Sequence, residues 1–123
     1  MTTYDLMIKV KNELESKGFT TGSAKLANVQ DYGHSAWATK DGKSEYIPVE
    51  GYDNYSRLYG YRIAFATVYR SNAAADDISV DISIYKWYAS SGSLIAKERI
   101  NTKMGEKAIM NRINKIAALY ETL

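Results

Sequence analysis

DISVDISIYKWY, from Asp77 to Tyr88, alternates apolar and polar residues more cleanly than any other run of the chain. Successive side chains of an extended chain point to opposite faces, so Ile78, Val80, Ile82 and Ile84 fall on one side and Asp77, Ser79, Asp81 and Ser83 on the other. Three isoleucines and a valine are stiff, β-branched residues suited to a pleated, half-buried surface. Burying the four contributes roughly 6–12 kcal/mol gross, at ~1.5–3 kcal/mol each, before the entropy of ordering is set against it. Such a row needs an apolar cover.

Two helical patterns at the ends of the chain supply one. Thr2 caps a helix predicted over Thr3 to Lys17, with Asp5 completing a capping box near the positive end of the helix dipole. Tyr4, Met7, Val10 and Leu14 recur at helical spacing. Gly18 ends the helix as its C′ residue, and Phe19 is placed to pack back on the last turn. The closing helix is predicted from Lys103 to about Glu121 behind a Thr102 cap, with Ile109, Ile113, Ile116, Tyr120 and Leu123 at spacings of about four, three, four and three.

Between these lie the remaining strands. A short one is expected near Lys25 to Gln30. HSAWATK and KSEYIPV flank Asp41 and Gly42, a pair that accepts the positive φ values of a two-residue hairpin turn. That register sets Trp37 opposite Tyr46 and Ala36 opposite Ile47, pairings worth roughly 0.2–1 kcal/mol each. Pro48 cannot donate to a ladder, so its strand stops there or lies at an edge. Glu50 to Gly60, with two glycines, reads as a loop. Tyr61 to Arg70 alternates again, with Ile63 and Phe65 on the core side. SNAAADD links it to the DISVDISIYKWY strand, Ser90 to Ser93 forms a turn, and Leu94 to Ile100 is the last strand. The expected fold is α+β: one domain over residues 1–123, with an antiparallel sheet of five or six strands packed against an N-terminal and a C-terminal amphipathic helix. The row opposite the isoleucines, with Tyr85 and Trp87, is left to face water or a partner subunit, which favours a homo-oligomer.

Composition narrows the chemistry. The chain has 123 residues, 46% of them apolar and 24% charged, with one proline, the profile of an ordinary globular domain. It has no cysteine, which excludes disulfides, thiolate catalysis and cysteine-ligated metals. One histidine and no spaced cluster of acids argue against other metal sites, and no cofactor is expected. No basic leader and no apolar run of membrane-spanning length is present, so a soluble, cytoplasmic protein without membrane contact is expected. The formal charge of +2 comes from 16 basic and 14 acidic residues rather than from a basic block. Tyrosine is abundant, with 11 copies against two phenylalanines and two tryptophans. Its flat apolar ring and polar tip suit half-exposed and interfacial positions.

Motifs for catalysis are sparse. His34 is a candidate general base, but a histidine following Gly33 at the start of a strand is expected on the surface or in a turn. Asp76, Asp77 and Asp81 read as a solvated loop and the polar side of a strand rather than as a carboxylate pair. Neither GxGxxG nor GxxxxGK[ST] occurs, and Gly105 offers only a helix N-terminus. The one distinctive constellation is YDNYSRLYGYR, from Tyr52 to Arg62, with four tyrosines and two arginines interleaved. Rings beside guanidinium groups stack on bases and neutralise phosphates, and they are equally the make-up of protein hot spots or of a capped sheet edge. The candidate binding residues are Tyr52, Tyr55, Arg57, Tyr59, Arg62, Arg70 and Arg112, with Lys107 and Lys115 as extensions. The leading expectation is a non-catalytic binding protein that captures or sequesters a nucleotide, a nucleic acid or a protein, in the style of inhibitors encoded by mobile elements. The alternatives are a small metal-independent nuclease using His34, and a structural subunit that assembles with its own copies.

Overall fold

A computed structural model describes residues 1–26, 33–68 and 79–123 of the chain. Helix α1 (Thr3–Ser16) starts as the sequence predicts: the Thr2 hydroxyl accepts from the Asp5 amide at 3.1 Å, and the Asp5 carboxylate accepts from the Thr2 amide at 2.9 Å. Hydrogen bonding to the Asp5 carboxylate from the Thr2 backbone amide, and next from the Thr2 side chain, lowers the pKa of Asp5. Gly18 takes φ +90, and the Phe19 and Gly18 amides return to the carbonyls of Leu14 and Glu15, which closes the helix in a Schellman motif. Phe19 is thereby folded back into the core, 5.3 Å from the ring of Tyr120.

The other elements are β1 (Thr20–Lys25), β2 (Ser35–Thr39), β3 (Ser44–Pro48), β4 (Ser56–Val68), β5 (Ser79–Tyr88), β6 (Ser91–Asn101) and α2 (Glu106–Glu121). They form one antiparallel six-stranded sheet in the order β1-β2-β4-β5-β6, with β3 also on β4. Val80, Ile82 and Ile84 are fully buried, and the register sets Ile84 beside Ile63 and Ile82 beside Phe65. Leu6, Met7, Val10 and Leu14 of α1 and Ile109, Ile113, Ile116 and Tyr120 of α2 cover that face in a single cluster. The α+β architecture is therefore as predicted, with both helices on one side of the sheet.

The strand connections differ from expectation in instructive ways. Around Asp41 and Gly42 the chain does not fold back into a hairpin. Both flanking strands lie along the same side of β4, with β2 on Ala66 to Ile63 and β3 on Gly60 to Ser56, so Trp37 is opposite Ala64, Tyr46 opposite Leu58 and Ile47 opposite Arg57. Thirteen residues of β4 accommodate two five-residue strands end to end. The Lys40–Lys43 turn is the kink between them. Pro48 ends β3 at the sheet edge, as its missing donor requires. The segment expected as a loop up to Gly60 is strand from Ser56, the hairpin being closed by the Val49 amide on the Tyr55 carbonyl at 2.9 Å.

The turn expected at Ser90 to Ser93 lies one residue earlier, at Ala89 and Ser90, both left-handed at φ 52 and 72. Ser90 is held there by β4: its amide donates to the Leu58 carbonyl, and its hydroxyl accepts from the Leu58 amide at 3.2 Å. Strand β1 ends at Lys25, before most of the expected span of Lys25 to Gln30, whose later residues lie outside the described ones. So do Tyr69, Arg70, the SNAAADD link and Ile78. Helix α2 begins at Glu106 with Gly105 as an N-cap that makes no side-chain bond. Thr102 is not the cap, because the Asn101 side chain takes up the amides of Lys103 and Met104 in a turn ahead of the helix.

The break between β2 and β3 exposes backbone groups that a continuous ladder would pair. The Tyr120 hydroxyl fills it: it donates to the Tyr61 carbonyl at 2.9 Å, accepts from the Lys40 amide at 3.3 Å and meets the Thr39 hydroxyl at 2.9 Å. Replacing Tyr120 with phenylalanine keeps the ring and strands these groups, so a loss of about 1–3 kcal/mol is expected in denaturant unfolding, with no change of fold by circular dichroism.

Candidate functional site: the helix-free face of the sheet

Residues on β4 that alternate with the core positions, Arg62, Ala64 and Ala66, point away from both helices. Their cross-strand neighbours Trp37, Tyr85, Ser83 and Asp81 share that face. Glycines let its two tryptophans lie close to the sheet. Gly22 is paired with Trp37, and a Cβ there would come within 2.2 Å of the indole. Trp87 has Gly60 on one neighbouring strand and Gly92 on the other, and a Cβ on Gly92 would sit 3.0 Å from its ring.

Arg62 is central to the face. Its guanidinium carbon lies 4.0 Å from the centre of the Trp37 ring and 5.5 Å from that of Tyr46, and it donates to the Tyr46 hydroxyl at 2.9 Å. The Nε–H of Arg62 is enclosed and has no acceptor among the described residues. Across the strand from Arg62 is Tyr85, whose ring is 6.0 Å from Trp87. Toward β6 the face carries Arg99, bound to Asp81 through two bonds of 2.6 and 3.1 Å, and Lys97 at 3.8 Å from the same carboxylate. Hydrogen bonding to the Asp81 carboxylate raises the Arg99 pKa above an already high value, so that charge is permanent. Between these groups a shallow depression of about 210 Å³ is floored by Ala64, Ala66 and Ser83 and walled by Tyr85, Leu94 and Lys97.

Six of the seven residues expected to form a binding surface are among the described ones, and these six do not converge. Arg62 is on the helix-free face. Tyr52 and Tyr55 are exposed on the β3–β4 connection, their rings 6.4 Å apart. Arg57 is exposed opposite Ile47. Tyr59 packs edge-on against Tyr88 at 5.4 Å. Arg112 is on the helical layer, where it donates to the Arg99 carbonyl at 2.6 Å. Arg70 lies outside the described residues.

His34 is not on the surface. It is buried at 2% exposure, its amide donates to the Thr67 hydroxyl at 2.9 Å, and its ring meets Tyr4 edge-on at 5.7 Å. Among the described residues no group of three or more histidine and acidic side chains has the arrangement of a metal site. Among the same residues no helix is long and apolar enough to cross a membrane.

The groups that residue-by-residue reading missed are Trp37 and Tyr46 as partners of Arg62. Alternation puts Trp37 out of phase with Ala36 and Ala38, which is a signal for an outward indole. The signal for its meeting Arg62 lies only in the register of β2 on β4. Compared with known proteins, the chain matches no family model, and no curated protein or solved structure matches it either.

Proposed function

We propose that the chain is a non-catalytic binding protein that captures its partner with the side and end of the sheet that the helices leave bare. One observation carries this reading. Of the nine large apolar side chains exposed among the described residues, seven are Tyr46, Ile47, Tyr52, Tyr55, Tyr88, Leu94 and Ile95, all on β3, the β3–β4 connection or the β5–β6 hairpin. Apolar side chains scattered singly are ordinary, whereas a concentration of this size at one end marks a contact surface. Tyrosine supplies much of it, and a ring with few rotamers and a polar tip gives large contact area for little lost entropy.

The test is a photo-crosslinking residue placed at Tyr46, Tyr55 or Leu94 in cells that make the chain, with Lys107 and Asn111 on the exposed side of α2 as controls. Discrete adducts are expected from the first three positions and not from the controls. Equal labelling at all five, or no adduct from the sheet positions, would overturn the reading.

A further inference from the structure

We infer that the occupant of the helix-free face is a single-stranded nucleic acid, laid across the aromatic groups of β2, β3 and β5. The inference rests on the reading of this face as the binding surface and adds the chemistry of what it takes. Its first support is the pairing of flat rings with cations. Trp37, Tyr46, Tyr85 and Trp87 share the face with Arg62, Lys97 and Arg99. Ring faces stack on bases whatever their sequence, and nearby cations neutralise the phosphates.

Charge on the face supplies the second support. Among the described residues it carries three cations and one acid, Asp81, so an anionic occupant is favoured and a second copy of the same positive face is not. Arg62 is also under-bonded, with one hydrogen bond to Tyr46 and an enclosed Nε–H lacking an acceptor among the described residues. A guanidinium held mainly by ring faces can swing toward a phosphate by giving up one hydrogen bond to Tyr46 and its contacts with the Trp37 and Tyr46 rings, which leaves the Trp37 ring open to a base. A free nucleotide is the poorer fit. The depression of about 210 Å³ is shallow and small beside the 300–1,000 Å³ of pockets that enclose small ligands, whereas an open face suits a strand.

The chain's two tryptophans are both on this face, so intrinsic fluorescence reports on it directly. The purified protein is titrated at low salt with a twenty-nucleotide oligo(dT), the same length of oligo(U), a twenty-base-pair duplex, and free thymidine monophosphate. Quenching by the two single strands is expected, weakening as roughly the second power of salt concentration for about three phosphate contacts. Trp87→Leu should weaken binding about tenfold or more through lost stacking. Lys97→Ala, a half-exposed position that leaves the Asp81–Arg99 pair intact, should weaken it severalfold and reduce the salt exponent by about 0.7. Lys107, expected from the sequence to extend the binding surface, is carried by α2 on the opposite side of the sheet, so Lys107→Ala should change nothing.

No quenching by either single strand would overturn the inference, as would a duplex or the mononucleotide binding as tightly, or Lys107→Ala weakening binding as much as Lys97→Ala. If the oligonucleotides fail while protein adducts form at Tyr46 and Leu94, the nucleic-acid inference falls and the binding reading stands. If those adducts fail too, both fall.

Discussion

Phe65→Ala is expected to lower the unfolding free energy by about 3–5 kcal/mol, the range for truncating a buried aromatic ring. Phe65 is fully buried between Ala36 on β2 and Ile82 on β5, under the helical layer. Its neighbour Ala36 is too small to fill the space left behind, and Ile82 is locked in its own strand. The cavity would therefore persist, which puts the loss at the upper end of such substitutions. A domain of this size is stable by only about 5–15 kcal/mol, so the variant should be visibly destabilised in urea, with its midpoint shifted far more than its slope. A loss below about 1 kcal/mol would mean that the helices do not seal this part of the sheet.

Gly60→Ala should follow closely, for a different reason. Gly60 adopts φ +102 inside β4, opposite Ser44 and Trp87, where the sheet accommodates the kink between β2 and β3. A Cβ built there would lie 2.3 Å from the Lys43 carbonyl oxygen and 2.8 Å from the Cα of Ser44. Both are backbone atoms, one in the Lys40–Lys43 turn and one at the start of β3, and cannot swing aside as a side-chain tip would. A non-glycine residue in such backbone costs of order 1–3 kcal/mol before the clash is counted, so about 3 kcal/mol in all is expected from equilibrium unfolding. Since Lys43 also holds the end of the helical layer, through its ammonium on the carbonyls of Glu121 and Leu123, added protease sensitivity near the C-terminus should accompany the loss. Gly51→Ala provides the comparison. Gly51 has φ +85, but a Cβ added to it would meet nothing within 4 Å, so only the conformational part of the cost should be seen.

Short-range pattern controls the features that are legible in the sequence. The capping box of Thr2 and Asp5, the Schellman turn at Gly18, the isoleucine stripe of α2 and the alternation around Ile82 each depend on residues a few positions apart. Each is found in the folded chain. The departures share a cause as well. Asp41–Gly42 has the composition of a hairpin turn, and the chain instead uses it as a kink because β4 is long enough to pair both flanking strands. Ala89–Ser90 has no residue that favours positive φ, yet it turns there because two hydrogen bonds to Leu58 hold Ser90 in place. Thr102 is a good cap in isolation, but Asn101 takes the nearby amides first.

The candidate site divides along the same line. Tyrosine and arginine richness between Tyr52 and Arg62 is visible in the sequence, and so is the outward row holding Tyr85 and Trp87. Which rings meet which guanidinium is not, since Trp37, Arg62 and Tyr46 come from three strands whose register is a long-range property.

The class of fold, the two helices and the rows of side chains that leave water are written in local pattern, because helical and strand periodicities and caps act over a few residues. That β2 and β3 share β4, that Tyr120 plugs the gap between them and that Arg62 is seated against Trp37 are outcomes of the assembled fold. Those arrangements are set by how strands far apart in the chain compete for the same backbone partners, and no local pattern encodes the winner.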